Sequence, residues 1–200
     1  QSQKNGKSIQ DCIENALKKF FKKKTKIAGA GRTDKGVHAV SQFAHFKSKK
    51  KIDNKKAFLN SINFFLKKNS ISILDIKEKT DNFHARFSAK LRTYEYFIIN
   101  RQGALSINKN RAWHIKKKID LKLLKKGAKL FEGTHDFSTF RAASCSAKSP
   151  IKKMHSIKIN KKNDMIKIKL ISKSFLQNQV RSMVGCLIYL STGKWNFIEF

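Results

Sequence analysis

The run Thr93-Tyr94-Glu95-Tyr96-Phe97-Ile98-Ile99 constrains the fold more than any other feature of this sequence. β-branched and aromatic side chains fill it and neither Gly nor Pro interrupts it, so it reads as a strand whose backbone needs bonding partners. Further along, Ser156–Asn160 and Met165–Ser172 flank Lys161-Lys162-Asn163-Asp164 and read as a hairpin, with Ile166, Ile168 and Leu170 alternating with Lys167 and Lys169. Helical stripes fill much of the rest. Behind a capping-box-like Ser8 and Asp11, Ile9, Ile13, Ala16, Leu17, Phe20 and Phe21 predict a helix over about 9–22. Phe58, Leu59, Ile62, Phe65 and Leu66 form a second stripe, and Asp120 caps a third with Leu121, Leu124, Ala128 and Phe131. Leu176, Val180, Met183, Val184 and Leu187 predict a last helix over about 175–190, ended by Gly193. Thr25–Ala30, Val40–Phe46 and Ile71–Ile76 read as strands. The polar stretch Asp81–Lys90 predicts a boundary between an N-terminal domain, 1–82, and a C-terminal domain, 83–200. The expected fold class is α+β: two subdomains, each a mainly antiparallel sheet with helices on one face, and a catalytic cleft between them.

Two hundred residues suffice for a hydrophobic core in one large or two small domains. The charge is the anomaly: 45 Lys and Arg against 13 Asp and Glu, a formal net charge of +32. AT-rich codon drift explains abundant Lys, Asn, Ile and Phe beside a single Pro, but it would enrich Glu as well, and only five Glu are present. A polyanionic partner, bound through phosphates, is the better explanation. For any single lysine run, such as Lys22–Lys24, Lys49–Lys51 or Lys116–Lys118, a solvated face remains the commoner outcome. Cys12, Cys145 and Cys186 are odd in number and widely spaced, which argues against a disulfide framework or a zinc site and fits a reducing cytoplasm. No apolar run approaches the roughly 20 residues that span a bilayer. Gln1-Ser2-Gln3-Lys4 is no signal peptide, and the lack of an initial Met suggests an internal piece of a longer protein.

Against this basic background, Gly31-Arg32-Thr33-Asp34-Lys35-Gly36-Val37-His38-Ala39 holds a carboxylate between two cations in a glycine-bracketed loop. Neighbouring positive charge favours the ionised form of Asp34, which suits a nucleophile or a base. A polar turn in which Arg32 and Asp34 merely pair is the plainer alternative.

The same nine residues resemble the catalytic loop of the TruA-type tRNA pseudouridine synthases, and further blocks agree in order. Ala85-Arg86-Phe87-Ser88-Ala89 precedes Arg92-Thr93-Tyr94-Glu95-Tyr96; Gly133-Thr134-His135-Asp136-Phe137 precedes Phe140-Arg141; Phe175-Leu176 precedes Val180-Arg181-Ser182-Met183-Val184-Gly185. Gln1-Ser2-Gln3 resembles the end of the family's opening segment. Two departures accompany the resemblance. The family's first strand and its closing C-terminal section have no counterpart, and Asn178-Gln179 stand where the family usually has His-Met.

The resemblance implies a tRNA pseudouridine synthase, an isomerase acting on uridines 38, 39 and 40 of the anticodon stem-loop. The reaction breaks the ribose C1′ to base N1 bond, rotates the uracil and rejoins it through C5, with no redox step, cofactor or metal. Asp34 is then the catalytic nucleophile, with attack at C1′, addition at C6 and proton abstraction at C2′ all open to it. The target base must leave the stack to reach it. Arg181 is its implied salt-bridge partner, and Tyr94 stacks on the target uracil, a contact worth roughly 1–3 kcal/mol. Arg32 and Lys35 complete the substrate-binding set, with Arg32 facing the same side as Asp34 if the segment is extended. Tyr96 reads as core, and His38 and His135 as structural or RNA-contacting. The implied assembly is a homodimer bound to tRNA in the cytoplasm. A basic RNA-binding protein that kept this fold but lost turnover is the main rival, and a ribosomal or nucleoid-type basic protein a weaker one.

Overall fold

A computed structural model describes residues 8–48 and 50–200, so Gln1-Ser2-Gln3 and Lys49 lie outside the described residues. The chain divides into two compact units, the first ending at Ala89 and the second starting at Lys90. Both mix helices and strands, so the fold class is α+β.

In the first unit, helix α1 (Ile9–Phe21) starts with the capping box expected of Ser8 and Asp11. The Ser8 side chain accepts from the Asp11 N–H at 3.2 Å, and Asp11 accepts from the Ser8 N–H at 3.0 Å. Helix α2 (Lys55–Leu66) is capped by Asn54, whose side chain accepts from the Ala57 N–H at 2.9 Å. The helices bury Cys12, Ala16 and Leu17 against Phe58, Ile62 and Leu66. Phe20 closes edge-on to Phe58, with ring centroids 4.9 Å apart.

The strands of this unit are much shorter than the sequence suggests. Among the described residues only Ala28–Gly29 (β1) and Ala44–His45 (β2) form an antiparallel pair, inside the expected 25–30 and 40–46. Helix α1 takes the backbone just before β1: Glu14 accepts from the Ile27 N–H at 3.0 Å, and Gln10 donates to the Ile27 carbonyl at 3.2 Å. Ile71–Ile76 is no strand. The Asn63 side chain on α2 accepts from the Ile73 N–H at 2.7 Å and donates to the Ile73 carbonyl at 2.9 Å. One amide thereby satisfies both groups that a neighbouring strand would have bonded.

The second unit holds a five-stranded sheet in the order β4-β3-β7-β6-β5. Its members are β3 (Arg92–Asn100), β4 (Trp113–Ile115), β5 (Gly133–Asp136), β6 (Ile151–Lys162) and β7 (Met165–Ser172). All pairings are antiparallel except β3 with β4. The β6–β7 hairpin turns at Asn163, with φ of 55°, a left-handed value that Asn tolerates better than most residues. β7 alternates as its pattern predicts, with Ile166, Ile168 and Leu170 fully buried. They meet Leu124 and Ala128 of α3 (Leu121–Leu130) and Met183, Val184 and Leu187 of α4 (Gln179–Ser191) in one core. Gly127 lets α3 and α4 approach: a Cβ there would sit 2.6 Å from a Leu190 methyl and 3.1 Å from one of Leu187.

α4 starts four residues later than its apolar stripe suggests. Asn178 takes a left-handed φ of 68°, which no helix interior accommodates. Before it, the Gln177 carbonyl accepts from the Ala142 N–H at 3.2 Å instead of joining a helical ladder.

Candidate active site

The Arg32–Asp34 loop is the excursion between β1 and β2. Its stem is closed by the Ala30 N–H donating to the Phe43 carbonyl at 2.8 Å, and by Gln42 donating to the Gly31 carbonyl at 3.1 Å. Its tip is a turn starting at Asp34, whose carbonyl accepts from the Val37 N–H at 3.2 Å. Gly36 supplies the φ of 84° that this turn needs. Every residue from Gly31 to Val40 is exposed, Arg32, Asp34 and Lys35 among them. The stretch 31–34 belongs to no strand, so no ladder enforces the alternation expected to place Arg32 and Asp34 on one side. Val40 is 93% exposed and Phe43 65%, which leaves apolar surface beside the charged loop. Nearby, the His45 ring nitrogen Nδ1 accepts from the Ala85 N–H at 3.2 Å, tying the Ala85–Ala89 block to β2.

Tyr94 and Arg181 lie in the other unit. Tyr94 stands opposite Leu170 of β7, and Tyr96 opposite Ile168, so both rings share the sheet face that carries the core. The Tyr94 ring meets Phe175 edge-on, centroids 5.1 Å apart. Tyr96 meets Trp113 at 6.4 Å. Tyr96 is core as expected, but it is also electrostatically coupled to Arg181. Burial pushes its hydroxyl above the usual phenol range, and the Arg181 charge pulls part of the way back. Arg181 occupies the first turn of α4, and Val180 beside it packs on the same core as Tyr96 and Phe175. Sequence reasoning missed Phe175 and the Tyr96–Arg181 relation; the i, i+2 spacing of Tyr94 and Tyr96 was the available signal.

The Gly133–Phe137 block is tied together by local bonds. His135 Nε2 contacts the Glu132 carbonyl at 2.7 Å across Gly133, whose φ is 106°. Asp136 accepts from the Ser138 N–H at 2.7 Å and its hydroxyl at 2.6 Å, and these bonds hold its carboxyl below the ordinary carboxylate range. Phe137 is 1% exposed. At the departures from the family pattern, Asn178 supplies the left-handed turn and Gln179 a buried cap. The Gln179 Oε1 accepts from the Leu176 N–H at 2.8 Å, while Nε2 has no partner among the described residues. A concavity of about 510 Å³ in the first unit, lined by Lys18, Lys19 and Lys22, includes none of the sequence-predicted site residues.

No described helix is long and apolar enough to cross a membrane. Comparison with known proteins adds the family. The tRNA pseudouridine synthase family matches residues 128–199. Over all 200 residues the chain is 54% identical to tRNA pseudouridine synthase A of Pelagibacter ubique (strain HTCC1062), covering 81% of that relative. Identity is 37% over 200 residues to the Maricaulis maris (strain MCS10) protein of the same name, of which 80% is covered. It is 41% over 197 residues to that of Brucella ovis (strain ATCC 25840 / 63/290 / NCTC 10512), covering 98% of this chain and 78% of the relative. With whole-chain identity of this order and the Asp34 loop intact, the chain belongs to the tRNA pseudouridine synthase A family.

Proposed function

We propose that this chain isomerises uridine to pseudouridine at positions 38, 39 and 40 of the tRNA anticodon stem-loop, acting in the cytoplasm as a homodimer. The observation that carries the reading is the exposed Gly31–Ala39 loop, retained whole in a chain that is 54% identical to a tRNA pseudouridine synthase A along its full length. In this reading Asp34 is the nucleophile, Arg181 its ion-pair partner, and Tyr94 the ring that stacks on the extruded uracil. Arg32 and Lys35 hold the substrate. The chemistry is an isomerisation: the C1′–N1 bond breaks, a C1′–C5 bond forms, and the C5 proton leaves for N1 or solvent. Atoms and electrons balance within the nucleotide and water.

The T-shaped contact with Phe175 supports the role given to Tyr94, because a ring held in one orientation by a neighbour is pre-set for a flat base. The charge of +32 supports an RNA substrate held through its backbone.

The test is incubation of the full-length protein with unmodified tRNA, followed by mapping of pseudouridine across the anticodon arm. Modification confined to positions 38–40 is expected. Binding without any pseudouridine makes the protein a binding module, and pseudouridine elsewhere moves the target. The tRNA affinity itself falls steeply with salt, and log K declines linearly with log salt at a slope of roughly −0.7 to −0.9 per phosphate contacted. A salt-independent affinity contradicts backbone recognition.

A further inference from the structure

An arginine in a protein of this charge is expected to face a phosphate. Arg141 does not. Its Nη2 donates to two backbone carbonyls, those of Cys145 and Ala147, each at 2.8 Å, in a part-buried position. The loop that it closes grips the segment before α4 twice. The Ala142 N–H donates to the Gln177 carbonyl at 3.2 Å, and the Gln177 N–H donates to the Cys145 Sγ at 3.4 Å. The adjoining residue is held just as fully, since the Leu176 N–H donates to Gln179 Oε1 at 2.8 Å and its carbonyl accepts from the Gln179 N–H at 3.2 Å. Both polar backbone groups of Leu176 and of Gln177 are therefore fixed. Phe175 on one side of this pinned pair meets Tyr94, and Asn178 on the other starts the helix that carries Arg181.

We propose that Arg141 is a positioning residue for the pseudouridine reaction: by locking the 142–147 loop, its guanidinium pins Leu176–Gln177 and so fixes Phe175 against Tyr94 and sets the first turn of α4. This rests on the function proposed above. Burial raises the Cys145 thiol, but the Gln177 and Ala147 N–H groups and the Arg141 guanidinium together hold it below the ordinary thiol range, as expected of a sulfur engaged as an acceptor. Both bonds leave one terminal nitrogen of a rigid planar group, whereas the ammonium of a lysine is more strongly hydrated and sits on a flexible stem, so it holds two carbonyls less firmly.

The experiment uses the full-length protein with Arg141→Lys, Arg141→Ala and Cys145→Ala, assayed well below their melting temperatures. A small misplacement of catalytic groups costs about 10²-fold in rate. The Arg141 variants are thus expected to lose about 10²-fold in turnover at saturating tRNA, while the tRNA dissociation constant changes by less than about threefold. Cys145→Ala is expected to lose less, and combining it with Arg141→Lys gives a loss smaller than the product of the two, because both act through one backbone segment. A readout independent of activity comes from 3-fluorotyrosine, with the resonances of Tyr94, Tyr96 and Tyr189 assigned by single Tyr→Phe variants. The Tyr94 resonance shifts in the Arg141 variants while that of Tyr189 stays in place.

Weakened tRNA affinity with full turnover at saturation would make Arg141 a phosphate contact and overturn the proposal. Unchanged turnover in the folded variants, with the Tyr94 resonance unmoved, would overturn it too. Should Arg141→Ala fail to fold, Arg141→Lys and Cys145→Ala decide the matter. Should the wild type make no pseudouridine, the proposed function fails, while the fluorine resonances still report whether the loop positions Tyr94.

Discussion

Asp34→Asn is expected to cut pseudouridine formation by on the order of 10⁴-fold or more, because an amide of the same shape cannot serve as an anionic nucleophile or base. The side chain sits in an exposed turn whose framework is backbone: the Val37 N–H donates to the Asp34 carbonyl, and Gly36 supplies the positive φ. Stability is expected to change by no more than about 0.5 kcal/mol, as for most exposed substitutions. tRNA affinity is expected to hold or rise slightly, since a negative charge leaves a surface that receives phosphates. Quantitative conversion of uridine by single-turnover assay, with a filter-binding measurement beside it, separates the two effects. Pseudouridine formed at a rate near that of the wild type would remove Asp34 from the chemistry and return the loop to an ordinary polar turn.

Phe137→Ala has the largest expected effect on stability, about 3–5 kcal/mol. Phe137 is 1% exposed and sits among Phe131, Phe140 and His135, with ring centroids 6.4, 6.1 and 5.9 Å away. Loss of the ring leaves a cavity beneath β5 that the rigid backbone around it cannot collapse, since the Phe137 N–H and carbonyl are bonded to Pro150 and Phe140. Against a typical stability of about 5–15 kcal/mol this is a large fraction. The melting midpoint is expected to fall by more than about 10 °C. Calorimetry checks the shift, and tRNA binding measured below the new midpoint is expected to match the wild type. An unchanged midpoint with weak RNA binding would place Phe137 on a recognition surface, contrary to its burial.

These two residues show what a motif does and does not disclose. Gly133-Thr134-His135-Asp136-Phe137 and Gly31–Ala39 look equally like signatures in the sequence, but the second is exposed throughout, whereas the first ends in the buried Phe137. The first is a turn and a core plug, with Asp136 spent on Ser138 and His135 on Glu132. Arg141 belongs to the same lesson. In a chain with a charge of +32 nothing in the sequence sets it apart from the other cations, whereas in the structure its Nη2 bonds two backbone carbonyls.

Elements set by local rules were legible. The Ser8–Asp11 and Asp120 caps, the stripes of α1, α2 and α3, and the alternation of β7 all depend on residues within a turn or two of one another. Elements that depend on distant bonding partners were not. Ile71–Ile76 has the composition of a strand but bonds an asparagine on α2. The start of α4 is set by Ala142 and Cys145, more than thirty residues upstream, and the stripe from Leu176 onward carries no trace of them.

By itself, then, the sequence determined the family, the glycine-bracketed Asp34 loop with its cations, and the period of most helices and strands. Those follow from local spacing and from residue identities that a chain carries whether folded or not. Only the tertiary structure decided which aromatic rings are buried, where α4 begins, and that Tyr96 and Phe175 stand with Arg181 and Tyr94 in the second unit. Burial and long-range hydrogen bonds are properties of pairs of groups brought together by folding, and no local pattern encodes the second member of such a pair.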